Sequence, residues 1–283
     1  MGIFKPNRIE AWLHRIRWAK RNIRQMRSAD GILVSHTKSG RTWLRVMISH
    51  AYHLEYGVPA NELIKFDNLH QLNPAIPKLF FLRDTKIPTF TIKGRSVAIP
   101  AGKKTLFIVR DPRDVAVSFF FHVHNRASFR ELDRKGISSE DRSLELYDFM
   151  VSEKLGVIRV IDHMNRWYDE MQHMQYRSII KYEQMRSDPE QALDKVLTFL
   201  DRKFEPDVIT NAVEFAAFDN LSRKEADGFF NSDKLKPTDV KDGNSYKVRR
   251  GKIGGYRDYF DDQQNVYLDS LVGDRLNPDY GYR

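Results

Sequence analysis

Gly31-Ile32-Leu33-Val34-Ser35-His36-Thr37-Lys38-Ser39-Gly40-Arg41-Thr42-Trp43 is the stretch on which the architecture turns. Its first residues form an apolar run without alternation, the pattern of a short strand buried on both faces. A polar turn over 36–41 follows, and the spacing then predicts an apolar helix over 42–54. Strand, turn and helix in that order aim backbone N–H groups and the positive end of a helix dipole at one point. Such a point is a nest for an anion.

Outward from this stretch, β-rich segments are predicted at 88–93, 104–110 and 177–182, alternating with helical patterns at 112–124, 157–173 and 189–201. That alternation argues for an α/β domain, a parallel sheet flanked by helices, with its active site at the carboxyl ends of the strands. At 283 residues, 41% of them hydrophobic, the chain can bury one large core, and 29–283 reads as a single domain. Residues 1–28 read as a basic amphipathic region, helical over 7–27. Ile9, Leu13, Ile16, Ile23 and Met26 fall near helical spacing there, with Arg15, Arg17, Lys20, Arg21, Arg24 and Arg27 around them. The polar residues 223–248, with Gly228, Pro237 and Gly243, read as a long mobile loop placed like a lid.

Lys and Arg outnumber Asp and Glu by 47 to 38, so the partner is expected to be anionic. The chain has no cysteine, which excludes disulfides, thiolate metal sites and a cysteine nucleophile. Its longest apolar runs, such as 105–109, are too short to cross a bilayer, and a cytoplasmic location is the default expectation. The basic helix is either a solvated face or a contact for anionic membrane or an acidic polymer.

Lys38-Ser39-Gly40-Arg41-Thr42-Trp43 is not the loop of a nucleoside triphosphatase, whose lysine follows the last glycine; here it precedes the glycine by two. It is similar instead to the 5'-phosphosulfate loop of sulfotransferases that use PAPS (3'-phosphoadenosine-5'-phosphosulfate), with Thr37 and Arg41 in place of the usual proline and threonine. The resemblance implies a P-loop-like sulfotransferase fold. It also implies that Lys38 meets the oxygen bridging phosphate and sulfate, where charge grows as that bond breaks. Ser39, Gly40, Arg41, Thr42 and Trp43 then line the phosphate, with the Trp43 ring toward the adenine.

A second segment, Arg110-Asp111-Pro112-Arg113-Asp114-Val115-Ala116-Val117-Ser118, joins an apolar strand to a helix with Pro112 in its first turn. It resembles the family's 3'-phosphate segment, and Arg110 and Ser118 take the places of the gripping arginine and serine. A third, Arg249-Arg250-Gly251-Lys252-Ile253-Gly254-Gly255-Tyr256, resembles the glycine-rich segment that also holds the 3'-phosphate through Arg249, Arg250 and Gly251. Gly255 and Tyr256 depart from its usual Asp-Trp. Tyr182 and Phe218 match aromatic residues at the adenine, whereas Ala216 and Ala217 replace a usual Thr-Ser pair.

The base that takes the acceptor's proton is harder to place. Where many members have Lys-Thr-His, the matching stretch is Lys93-Gly94-Arg95, so Lys93 is kept to stabilise the transferring group and the histidine is missing. His70 is the leading candidate, ahead of Asp67, His122 and His124. The scheme requires no metal and no nucleic acid. The ending 276–282 resembles that of glycan-modifying members, which points to a carbohydrate or glycolipid hydroxyl, with an amine, a small alcohol or a phenol as alternatives. The family's Lys-x-x-x-Thr-Val-x-x-x-Glu dimerisation motif is not recognisable after Phe260. Two other readings stay open on the residues alone: a P-loop-like small-molecule kinase, and a non-enzymatic binder of nucleotide, nucleic acid or membrane. Neither accounts for three motifs in this order.

Overall fold

The computed structural model describes residues 8–83, 99–232, 235–237 and 251–282. Four strands form one sheet: β1 (Gly31–Ser35), β2 (Leu79–Arg83), β3 (Lys104–Val109) and β4 (Arg177–Lys181). Their order is β2-β1-β3-β4, and every pair is parallel. Parallel neighbours require crossovers, and the helices that supply them cover both faces. β1 is therefore buried along its whole length.

Alternate residues of each strand enter two separate cores. Leu33, Leu106, Ile108 and Ile180 face one way and pack with the helices Arg41–Tyr56, Pro189–Phe199 and Pro206–Phe215. Ile32, Val34, Phe107 and Val109 face the other way, toward the helices Pro112–Asn125, Val157–Gln172 and Asp262–Arg275. Each fully buried aliphatic side chain contributes about 1.5–3 kcal/mol. The helix Arg8–Ser28 joins this second core near its carboxyl end, through Ile23 and Met26.

Two expectations change. The strand beside β1 is Leu79–Arg83, where the residue pattern predicts no element; the 88–93 stretch lies outside the described residues. Leu79-Phe80-Phe81-Leu82 gives no periodicity, and burial between β1 and flanking helices is what makes it a strand. The loop read over 223–248 begins inside a helix, Phe218–Ala226, whose amphipathic pattern straddles the assumed boundary. Phe230 and Leu235 are then buried in the first core, as a free loop would not be. Residues 233–234 and 238–248 lie outside the described residues.

Candidate functional site

At the carboxyl end of β1 the chain makes the turn that positions Lys38. Ser39 N–H donates to His36 O at 3.4 Å, and Lys38 and Gly40 both take left-handed backbone, with φ of 76° and 89°. For a lysine that conformation costs on the order of 1–3 kcal/mol, and such strain gathers at functional turns. Gly40 leaves no alternative to glycine, since a Cβ there would stand 2.5 Å from Tyr182 Cδ2. The helix Arg41–Tyr56 starts at once, with Leu44 N–H bonded to Gly40 O at 3.1 Å. Its early N–H groups face the turn.

Not every residue of the loop turns outward. The Arg41 guanidinium donates to Ser35 Oγ at 3.1 Å and to Leu82 O at 3.4 Å, so its side chain braces the sheet edge. Trp43 donates from Nε1 to Ala216 O at 2.9 Å and meets Tyr182 edge-on at 5.9 Å. Arg186 lies over the Trp43 ring at 5.6 Å.

Arg110, the residue after β3, joins all three motifs. Its Nη1 donates to Lys38 O at 3.4 Å, its Nη2 donates to Lys252 O at 3.3 Å, and its guanidinium covers the Tyr182 ring at 4.2 Å. Asp114, one helical turn on, pairs with Arg110 at 3.5 Å. Among the described residues the buried Nε of Arg110 has no hydrogen-bond partner. Asp111 caps the helix Pro112–Asn125 by accepting from Arg113 N–H, and Ser118 is half-buried two turns further along.

The glycine-rich segment closes onto the same helix. Gly254 N–H and Tyr256 N–H donate to the two oxygens of Asp114 at 2.9 and 3.0 Å. Burial raises the Asp114 carboxyl above its ordinary range, against the pull of Arg110. Gly251 has φ of 62°, and a Cβ there would lie 3.4 Å from Phe218 and 3.5 Å from Arg186. Trp43, Arg186, Gly251 and Phe218 therefore adjoin one another in sequence of contact. Arg249, Arg250, Lys93 and Arg95 lie outside the described residues.

Tyr182 is buried between Arg110 and Trp43, so its ring forms a wall of the site. It also opens the helix Tyr182–Ser187, where the sequence pattern extended a strand. Beside it, Glu183 accepts from Asp111 N–H at 3.0 Å and from the Tyr282 hydroxyl at 2.6 Å. Glu183 enters the family resemblance only as the neighbour of Tyr182, and Tyr282 only as part of the 276–282 ending, because nothing local marks a contact made across 99 residues.

The histidines proposed as bases do not converge on Lys38. His70 is bonded through Nδ1 to Ile76 O at 2.7 Å, three residues before β2 begins. That is the amino edge of the sheet, a strand length from the Lys38 turn. Asp67 on the same short helix accepts from Gln71 at 3.0 Å. His122 faces Glu131 at 3.4 Å, and exposed His124 lies against its own helix at Phe120 O. At the carboxyl edge itself, the register sets Arg83 beside Ser35, and His36 meets His163 at a ring distance of 5.2 Å.

Lys38, Arg110 and the amino ends of two helices thus gather at one edge, where they can neutralise an anion with separated phosphates. The sulfotransferase domain model matches residues 28–277. Cytosolic sulfotransferase 16 of Arabidopsis thaliana is 25% identical over 273 residues, 89% of this chain and 77% of that protein. Sulfotransferase 1A1 of Bos taurus is 25% identical over 259 residues, 87% of this chain and 83% of that protein. The crystal structure of mouse sulfotransferase SULT7A1 complexed with PAP superposes with a TM-score of 0.58 at 20% identity, covering 90% of this chain and 87% of that one.

Proposed function

The chain belongs to the sulfotransferase family, and from that premise we propose how its residues carry out PAPS-dependent sulfuryl transfer and which acceptor receives the group. In that reaction an acceptor oxygen forms a bond to sulfur as the bond from sulfur to the 5'-phosphate oxygen breaks. PAP (adenosine 3',5'-bisphosphate) departs, and the acceptor proton passes to a base.

Lys38 takes the charge growing on the bridging oxygen, and the N–H groups from Ser39 to Trp43 cradle the 5'-phosphate. Arg110 and Ser118 hold the 3'-phosphate, with Gly251 permitting close approach of the backbone beside them. Trp43 and Phe218 flank the adenine. Arg249, Arg250 and Lys93 take the roles that the family resemblance gives them. His70, Asp67 and His124 are not assigned as the base, because their hydrogen bonds hold them elsewhere.

The observation that carries this reading is Arg110. A nearly buried guanidinium that bonds to the Lys38 loop and to the glycine-rich segment has the position and the planar charge a phosphate needs. Calorimetric titration with PAP, AMP and ATP tests it. PAP should bind far more tightly than the other two, and Arg110→Ala should erase the preference over AMP; equal affinities would overturn the donor site.

For the acceptor, the reading is a carbohydrate hydroxyl on a glycolipid. The 276–282 ending supports it, and so does the outer face of the helix Arg8–Ser28, where Arg17, Lys20, Arg21, Arg24 and Arg27 are exposed. Arg17, Arg21 and Arg24 recur at helical spacing away from the buried Ile23 and Met26, and Lys20 and Arg27 flank Ile23 at the border of the packed face. The helix would hold the enzyme at an anionic membrane beside its acceptor. Radiolabelled PAPS offered with glycolipids, free sugars and simple phenols tests the assignment, and label in the phenols alone would defeat it.

A further inference from the structure

Glu183 stands at a junction that the donor-site assignment leaves unused. One carboxylate oxygen accepts from Asp111 N–H at 3.0 Å, the first N–H beyond Arg110, and the other accepts from the Tyr282 hydroxyl at 2.6 Å. Tyr282 is itself fixed. Lys181 lies over its ring at 5.2 Å, and Gly281, with φ of 67°, brings the backbone so close that a Cβ would stand 3.3 Å from Lys181 Nζ. Tyr280, two residues earlier, is buried and donates to Met164 O at 2.7 Å, which anchors the segment to the helix Val157–Gln172.

We propose that the 276–282 segment is a strap that sets the 3'-phosphate grip, with Tyr282 acting through Glu183 as a positioning residue for the Arg110–Asp111 turn. The proposal rests on the donor-site reading above. Its physical basis is geometric. Asp111 N–H lies at the start of the helix Pro112–Asn125, and a carboxylate bonded to it fixes the peptide that carries Arg110. The guanidinium reaches Lys38 O and Lys252 O only over 3.4 and 3.3 Å, so it depends on that peptide for its aim. The half-buried Glu183 carboxylate is held by a donor on each oxygen, and the tyrosine hydroxyl is the second. Without it Glu183 is free to rotate away from Asp111.

The strap reaches Arg110 through Glu183 and Asp111, and reaches the 5'-phosphate loop only beyond Arg110, so its effect falls first on the 3'-phosphate. PAP and AMP are titrated against the wild-type protein and the Tyr282→Phe, Glu183→Gln and Arg110→Ala variants, and Tyr282→Phe is combined with Arg110→Ala. Tyr282→Phe is expected to weaken PAP about tenfold, the scale of one charge-assisted hydrogen bond, with AMP affinity unchanged. Glu183→Gln should act in the same direction, and Tyr282→Phe should add nothing once Arg110 is Ala. Equal losses for PAP and AMP, or no loss in either variant, overturn the strap. If the wild-type protein does not prefer PAP to AMP, the donor-site reading fails and the strap falls with it; a wild-type preference that both variants retain overturns the strap alone. Glu183→Gln keeps the test decisive should Tyr282→Phe not fold.

Discussion

Asp114 Oδ2 accepts the backbone N–H of Gly254 at 2.9 Å, joining residues 140 apart in the chain. The same carboxylate accepts from Tyr256 N–H and pairs with Arg110, so one buried group ties the second sequence motif to the third. Replacing it with Ala leaves two N–H groups and a nearly buried guanidinium without their acceptor. Asp114→Ala is expected to cost about 3–5 kcal/mol of stability, measured by urea denaturation, and to abolish selective PAP binding.

Lys38 differs from Arg110 in what it should change. Its charge is assigned to the leaving oxygen, where demand rises in the transition state more than in the bound state. Lys38→Met is expected to lower kcat by about 10²–10³ while PAP affinity moves by less than tenfold. Steady-state rates paired with calorimetry make the comparison, and a loss confined to binding would assign Lys38 to the ground state.

Gly40 is held by contact as well as by conformation. A Cβ would stand 2.5 Å from Tyr182 Cδ2, and φ of 89° disfavours any side chain. Gly40→Ala should displace Tyr182, and with it the Arg110 guanidinium over its ring, at a cost of about 1–3 kcal/mol. PAP affinity is expected to fall more than tenfold. A variant with native PAP affinity would mean that the turn does not depend on this contact.

His50 gives the fold a predictable acid sensitivity. It stacks on Phe215 at 3.6 Å, and burial, then His53, lower its pKa from 6.5 to about 4. The unfolded chain therefore binds the proton first as pH falls. The stability contribution is complete above pH 6.5 and is lost progressively as pH falls toward about 4. His50→Gln should make the urea midpoint less dependent on pH through that window. Identical profiles for the two proteins would exclude the histidine as the source.

The cationic face of the first helix can be tested apart from catalysis. The wild-type protein is expected to bind phosphatidylserine vesicles and to release them at high salt, and to ignore phosphatidylcholine. Changing Arg17, Arg21, Arg24 and Arg27 to Gln should remove about 4 kcal/mol of that attraction, at about 1 kcal/mol for each charge. Unchanged vesicle binding by the quadruple variant would reduce this face to a solvated one.

Much of this protein is local and therefore legible in its sequence. The apolar run Gly31–Ser35 makes a strand wherever it is buried, and Pro112 after a capping Asp111 starts a helix without help from distant residues. The order of Lys38, Ser39 and Gly40 fixes the kind of turn and its chemistry for the same reason. Other features depend on what the fold brings together. Leu79–Arg83 becomes a strand because β1 offers it an edge, and the helix Phe218–Ala226 gains its stability from the core beneath it. Arg41 reads as a phosphate ligand until the Ser35 and Leu82 acceptors at the sheet edge claim its guanidinium. His70 reads as a base until Ile76 O holds it at the far edge. The bonds of Glu183 to Asp111 and Tyr282, like that of Asp114 to Gly254, join segments far apart in the chain. Local sequence fixes torsions and polarity, whereas the partner of a buried polar group is decided by which distant donor the packed sheet leaves within reach.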